Sequence, residues 1–264
     1  MAEIEETHEE GMSFWDHLEV LRWALFRIAC CLAICLVGTF MAMPHIFDKF
    51  ILAPTTNDFF VYKWLTEISN GIIQFDPGFS VQIININVAS QFMTHISTSC
   101  YLAFLFASPY ILFELFRFVS PALYENEKRY SIIVVFVVYG LFILGLMMSY
   151  FVIFPISFQF LATYQVDPTI NNTITLSSYI STFTTLTLMM GLVFQLPVIA
   201  FVLAKMGIVD TELLRHYRRH ALVIITIIAA IITPTTDIFT LLLVTGPIYL
   251  LYELSIFVVK RVER

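Results

Sequence analysis

Six apolar stretches separated by polar ones run along the chain, at residues 23–43, 89–118, 131–154, 179–206, 221–233 and 238–259. A helix needs about 20 apolar residues to cross a hydrocarbon core of about 30 Å, so five of the six can span a bilayer. The fifth falls short: at about 1.5 Å per residue it reaches only about 20 Å. It must pack away from lipid or sit where the bilayer thins. Directly behind it comes TPTTD at 233–237. Pro234 cannot continue a helix, so the fifth and sixth segments are expected to form a tight helical hairpin.

The polar stretches divide by charge. Arg22 and Arg27 flank the first span; Arg117, Lys128 and Arg129 lie between the second and third; Lys205, Arg215, Arg218 and Arg219 lie between the fourth and fifth; Lys260, Arg261 and Arg264 follow the sixth. With six spans all of these fall on one side, and only Lys49 and Lys63 fall on the other. The positive-inside rule then makes both termini cytoplasmic, with inner loops at 119–130 and 207–220 and outer loops at 44–88 and 156–178. Within the first outer loop, the alternation of Val, Ile and Asn over 81–88 resembles a strand. The aromatic residues around it favour an amphipathic cap lying on the outer leaflet.

Composition supports the same class. The chain has 264 residues, 59% hydrophobic and 13% charged, with a mean hydropathy of +0.84. A soluble globule of that composition would have an insoluble surface, so the expected fold is all-α, a single polytopic membrane domain over 1–264. The formal net charge of −6 argues against a nucleic-acid partner. Residues 1–15 open with MAEIEETHEE, an acidic head with no basic start and no cleavage site, which reads as a solvated cytoplasmic tail. Cys30, Cys31, Cys35 and Cys100 all lie in apolar stretches without metal-ligand spacing and read as buried thiols.

Enzyme motifs are not found. HEEGM at 8–12 lacks the second His of a zincin, and there is no GxSxG, P-loop or glycine fingerprint, so no catalytic residue, cofactor or metal is expected. What remains are polar groups in or beside the spans, each costly enough to need a partner or a task. Glu114 stands three residues before Arg117 and is read either as an i,i+3 ion pair or as a ligand-binding group. His95 suits a hydrogen-bonded packing role, and Gln195, just before Pro197, suits interhelical bonding. Asp237 can cap the sixth helix, and Glu253 is expected to meet interfacial water or the basic tail. DHLEVLRWALFR at 16–27 is an amphipathic entry to the first span, with Glu19 and Arg22 at i,i+3.

Taken together, HLEVLR near the start, SPYILFELFRFVSPALYENEKR after the second span, YFVIFPISFQFL, FQLPV, ITPTTDIFT and PIYLLYELSIF resemble, in order and spacing, the TatC family, core subunits of the twin-arginine protein translocase. The resemblance implies six helices with both termini cytoplasmic, short fifth and sixth helices, and a place in the cytoplasmic (inner) membrane. It also implies a receptor for the twin-arginine signal peptides of folded cargo, working with TatA/TatB-type single-span partners, in lipid, as a homo-oligomer, on the proton-motive force. By that resemblance Glu127 is the main arginine-binding carboxylate, and Phe118, Pro121 and Tyr124 shape its site. A second carboxylate belongs to a motif usually written HLxELR, but here Val20 stands at the motif Glu and Glu19 precedes it. Either Glu19 substitutes through a slight turn of the helix, or recognition rests mainly on Glu127. Gln195 stands where many members carry a buried Glu, and the resemblance assigns Gln195 and Asp237 to contact with partner subunits. Two other classes compete: a secondary transporter of a small solute using Glu114 and Gln195, for which no convincing repeated halves are found, and a passive scaffold.

Overall fold

The computed structural model describes residues 14–56, 58–68, 80–119, 128–167, 169, 172–235 and 237–263. Helix α1 (Phe14–Ile46) has 33 residues, about 50 Å at about 1.5 Å each, so it overshoots the hydrocarbon core. Pro44 lies in its last turn and has no N–H for the carbonyl of Phe40. His95 of the next long helix bonds that carbonyl through Nε2 at 3.0 Å and stacks on the Phe40 ring. The packing role expected of His95 is therefore specific: it replaces the donor that the proline lacks.

A π-helical turn (Phe47–Ile51) and a 3-10 turn (Ala53–Thr55) carry the chain from α1 to α2 (Phe60–Ile68). Val61, Tyr62 and Leu65 of α2 are buried while Phe60, Lys63 and Trp64 are exposed, so it is an amphipathic helix. Hydroxyls from other elements take up carbonyls left over in these irregular turns: Tyr150 bonds Phe50 O at 2.8 Å, Tyr62 bonds Pro54 O at 2.6 Å, and Tyr179 bonds Ile51 O. The alternation over 81–88 does contain a strand, contrary to the cap expected there. β1 (Ile83–Ile84) pairs in parallel with β2 (Ile174–Thr175), so the segments before α3 and before α6 meet.

Helix α3 (Ser90–Val119) packs along α1, with Thr39 Oγ1 donating to Ser99 O at 3.0 Å. Its Pro109 frees the carbonyl of Leu105, which Ser108 Oγ takes at 2.6 Å. After α4 (Lys128–Met148) the chain passes through a π-helical turn (Ser149–Ile153) into α5 (Phe154–Thr163). The third span thus runs past residue 154, and helix replaces the expected loop as far as Thr163. Pro155 does not stop it, because a proline in the first turn of α5 fits the fixed φ of a helix start.

The fourth span is two helices, α6 (Leu176–Val193) and α7 (Leu196–Lys205), broken at Phe194 and Gln195, where Pro197 denies Val193 O its partner. Gly207, at φ +70°, ends α7: its own N–H bonds Ala204 O and that of Ile208 bonds Leu203 O, each at 3.0 Å. The expected inner loop 207–220 is largely helical, holding α8 (Thr211–His216), capped by Asp210, and the start of α9 (Arg218–Ile232). At 15 residues α9 is short, as expected. The last helix, α10 (Ile238–Val262), is not: its 25 residues are enough to cross, and nothing in IFTLLLVTGPIYLLYELSIF ends it early.

Among the described residues, five helical stretches are therefore long and apolar enough to cross a membrane, with α9 as a shorter apolar sixth. Phe154, Phe183, Leu186, Met190, Val244 and Ile248 form the buried centre. At the α4–α6 crossing Gly145 lies so close that a Cβ there would stand 2.6 Å from Met190 O. Large apolar side chains also point outward, among them Ile34 at 74% exposure and Ile231 at 77%. Only a lipid environment makes that surface stable. Cys30 and Cys100 share this outward surface and Cys31 and Cys35 are half-buried, which corrects the reading of all four as buried thiols. In a membrane an apolar stretch says nothing about which face turns inward.

Candidate functional site

Where the start of α1 meets the end of α3, the two helices leave a groove of about 450 Å³ lined by Glu19, Val20, Trp23, Ala24, Arg27, Glu114, Arg117 and Phe118. Helical spacing explains its α1 wall: 19, 23 and 27, with 20 and 24, succeed one another at three- and four-residue steps along one face. The opposite wall repeats the pattern with 114, 117 and 118.

At the floor lies an ion pair that joins residues 87 positions apart. Arg27 Nε donates to Glu114 Oε1 at 2.9 Å and Nη2 donates to Oε2 at 2.8 Å. Tyr110 Oη, one turn before Glu114, adds a third bond to Oε1 at 3.0 Å. The Glu114 side chain is 3% exposed and the Arg27 side chain 39%. This corrects the i,i+3 pairing with Arg117: the packing of α1 on α3 brings Arg27 across the groove. The arrangement is a bidentate fork on a desolvated carboxylate, the geometry that distinguishes guanidinium from ammonium.

Of the residues singled out from sequence, Glu19 and Phe118 line this groove. Glu19 stands at the exposed mouth with Arg22 Nη2 on its Oε1 at 3.3 Å, as its spacing suggested. Val20 lines the groove beside it. Glu127, Pro121 and Tyr124 lie outside the described residues, in the segment 120–127 that follows α3. Arg27, Tyr110 and Trp23 were not singled out. Tyr110 and Glu114 at i,i+4 were a legible pair, whereas no local pattern announces Arg27 as their partner.

Gln195 and Asp237 lie away from the groove. Gln195 Nε2 bonds Val138 O on α4 at 3.2 Å, the interhelical role expected, while its Oε1 is buried without a partner among the described residues. Asp237 caps α10 through a 2.6 Å bond from Thr240 N to Oδ1, and its Oδ2 is likewise buried and unpartnered among the described residues. Glu253 is paired not with the basic tail but with α9 and its own helix: Arg218 Nη2 bonds it at 2.7 Å, and Tyr249 Oη at 3.3 Å. Together with the bonds from Thr211 N and Oγ1 to Glu263 and from Tyr252 Oη to Leu214 O, this pair ties α8 and α9 to α10.

Residues 16–247 match the family model for Sec-independent protein translocase protein (TatC). A relative from Blattabacterium sp. subsp. Periplaneta americana (strain BPLAN), named Sec-independent protein translocase protein TatC, is 31% identical over 252 residues, covering 94% of each chain. One of the same name from Campylobacter jejuni subsp. jejuni is 32% identical over 249 residues, covering 94% of this chain and 93% of the relative. Among solved structures, a crystal structure of the twin arginine translocase receptor TatC superposes with a TM-score of 0.75 at 30% identity, covering 94% of this chain and 100% of that one.

Proposed function

Because the chain belongs to the TatC family of Sec-independent protein translocase proteins, we propose that it is the receptor and core subunit of a twin-arginine translocase and that its α1–α3 groove belongs to the signal-peptide site. The observation that carries this reading is the groove itself. It has carboxylates at mouth and floor, the aromatic rings of Trp23 and Phe118 in its lining, and an α3 wall whose last residue, Phe118, precedes 120–127 by two positions in the sequence. Carboxylates in partly desolvated surroundings, flanked by aromatic faces, are what planar guanidinium groups select.

In this reading Glu127 receives one arginine of the peptide, with Pro121, Tyr124 and Phe118 shaping the surround and Glu19 supporting from α1. The protein lies in the cytoplasmic membrane with both termini inside, draws on the proton-motive force, and assembles with TatA/TatB-type single-span subunits and further copies of itself. In this reading Gln195 and Asp237, each bonded within the chain through one polar atom, belong to the faces on which such subunits dock.

The test is binding of a twin-arginine peptide and a twin-lysine control to the purified chain and to Glu127→Ala. The substitution is expected to weaken the arginine peptide far more than the lysine one. Equal, small losses for both would remove Glu127 from the site.

A further inference from the structure

The groove holds one carboxylate with the full geometry of arginine recognition, and it is Glu114. We infer that Glu114 is an arginine-receiving group of the signal-peptide site, and that Arg27 occupies it in the empty receptor until a guanidinium of the peptide takes its place. This deepens the receptor reading and rests on it.

Three features support exchange over a fixed clamp. First, both oxygens of Glu114 are already bonded in parallel by a guanidinium, at 2.9 and 2.8 Å, with the Tyr110 hydroxyl holding Oε1 from the side. A lysine ammonium offers a point charge and cannot reproduce that fork. Second, the two partners differ in freedom. Glu114 is 3% exposed and fixed by Tyr110, whereas Arg27 is 39% exposed on a long side chain lining the open groove. Arg27 can swing aside within the open groove as a second guanidinium enters, so the buried carboxylate is never left bare, the state that makes buried charge costly. Third, the same groove repeats the device at its mouth, where Arg22 sits on Glu19 in an exposed pair. Two carboxylates, each holding an arginine of the chain itself, give two exchange positions along one groove for a ligand with two arginines.

Resident arginines also serve selectivity. A vacant desolvated carboxylate would attract any cation, whereas an occupied one yields only to a ligand that matches the fork and adds contacts of its own, here with Trp23 and Phe118.

The experiment measures binding of twin-arginine and twin-lysine peptides to the full chain and to Arg27→Gln, Glu114→Gln and Glu127→Ala. Arg27→Gln removes the competitor and is expected to tighten the arginine peptide about ten-fold, the scale of one charge-assisted hydrogen bond, with little change for the lysine peptide. Glu114→Gln is expected to narrow the preference for arginine over lysine. If Arg27→Gln leaves the arginine peptide unchanged, or if both groove variants weaken the two peptides equally, the pair is a clamp between α1 and α3 and this inference fails while a Glu127→Ala loss keeps the receptor reading intact. An unsubstituted chain that binds neither peptide overturns both. Should the groove variants not fold, the unsubstituted chain decides: a photoreactive group beside the peptide's arginines is expected to label 23–27 and 114–118, and labelling confined to other segments refutes the exchange.

Discussion

Adding one methyl group to either of two glycines of α4 should move stability in opposite directions. Gly145 and Gly140 lie five residues apart on the same helix, so Gly→Ala brings both the same gain in helix propensity, about 0.5–1 kcal/mol. At Gly140 a Cβ meets nothing within 4 Å. At Gly145 it would stand 2.6 Å from Met190 O, 2.9 Å from Gly191 Cα and 2.9 Å from Phe194 Cβ. Two of those three atoms are backbone and cannot rotate away, so α4 and α6 must separate. Overpacking of this kind costs about 1–3 kcal/mol. The propensity gain cancels between the two variants, so their difference isolates the crossing. Separation would also stretch the 3.2 Å bond from Gln195 Nε2 to Val138 O, which ties the α6–α7 break to α4. Gly191→Ala should fall between them, because its Cβ meets ring and methyl tips, Phe142 Cε2 at 2.8 Å and Leu146 Cδ2 at 3.0 Å, which can shift. The assay is thermal unfolding of the purified chain in one detergent, read as loss of the monodisperse peak. Gly140→Ala should melt at or above the parent and Gly145→Ala several degrees below it. Equal midpoints for the two would refute the close crossing.

His95→Leu should destabilise by about 1–3 kcal/mol, because it leaves Phe40 O without a donor. In a Pro44→Ala background the same substitution should cost clearly less, since the alanine brings its own N–H to that carbonyl; full additivity of the two changes, measured in the same melting assay, would refute the pairing. Val20→Glu adds a carboxylate to the groove wall beside Glu19 and should tighten twin-arginine peptide binding. An unchanged affinity would show that the existing carboxylates already serve.

Hydropathy alone read the order of the apolar helices, the shortness of α9 and the turn that Asp237 caps, because those depend on local chemistry: chain length across a bilayer, a proline, a capping side chain. It misread the reach of the third span, because a π-helical turn followed by Pro155 looks like an end and is a continuation. It also misread the cysteines, because lipid and protein core are equally apolar and the pattern does not say which faces which. In the groove, Glu19 with Arg22 and Tyr110 with Glu114 were legible as helical neighbours. Arg27 was not, since its pairing with Glu114 exists only after α1 docks on α3.

Polar residues in the spans looked alike in sequence, each an expense in search of a purpose, and the structure sorts them by what they bond. In a bilayer every backbone carbonyl must find a donor within the protein. Ser108 and His95 answer the carbonyls that Pro109 and Pro44 leave open. Thr184, Thr187, Thr245 and Ser255 bond carbonyls one turn back on their own helix. These groups are spent on the chain's own backbone and have little left to offer a ligand. Glu114 differs, because its partners are side chains, Arg27 and Tyr110, while Gln195 spends its amide nitrogen on the Val138 carbonyl of α4. Among the described residues Gln195 retains an unpartnered buried oxygen, and Glu114 holds a guanidinium that stands partly in the open. With the backbone carbonyls served by the other polar groups, the bonding capacity left to exchange lies with Glu114, in the groove that the receptor reading requires.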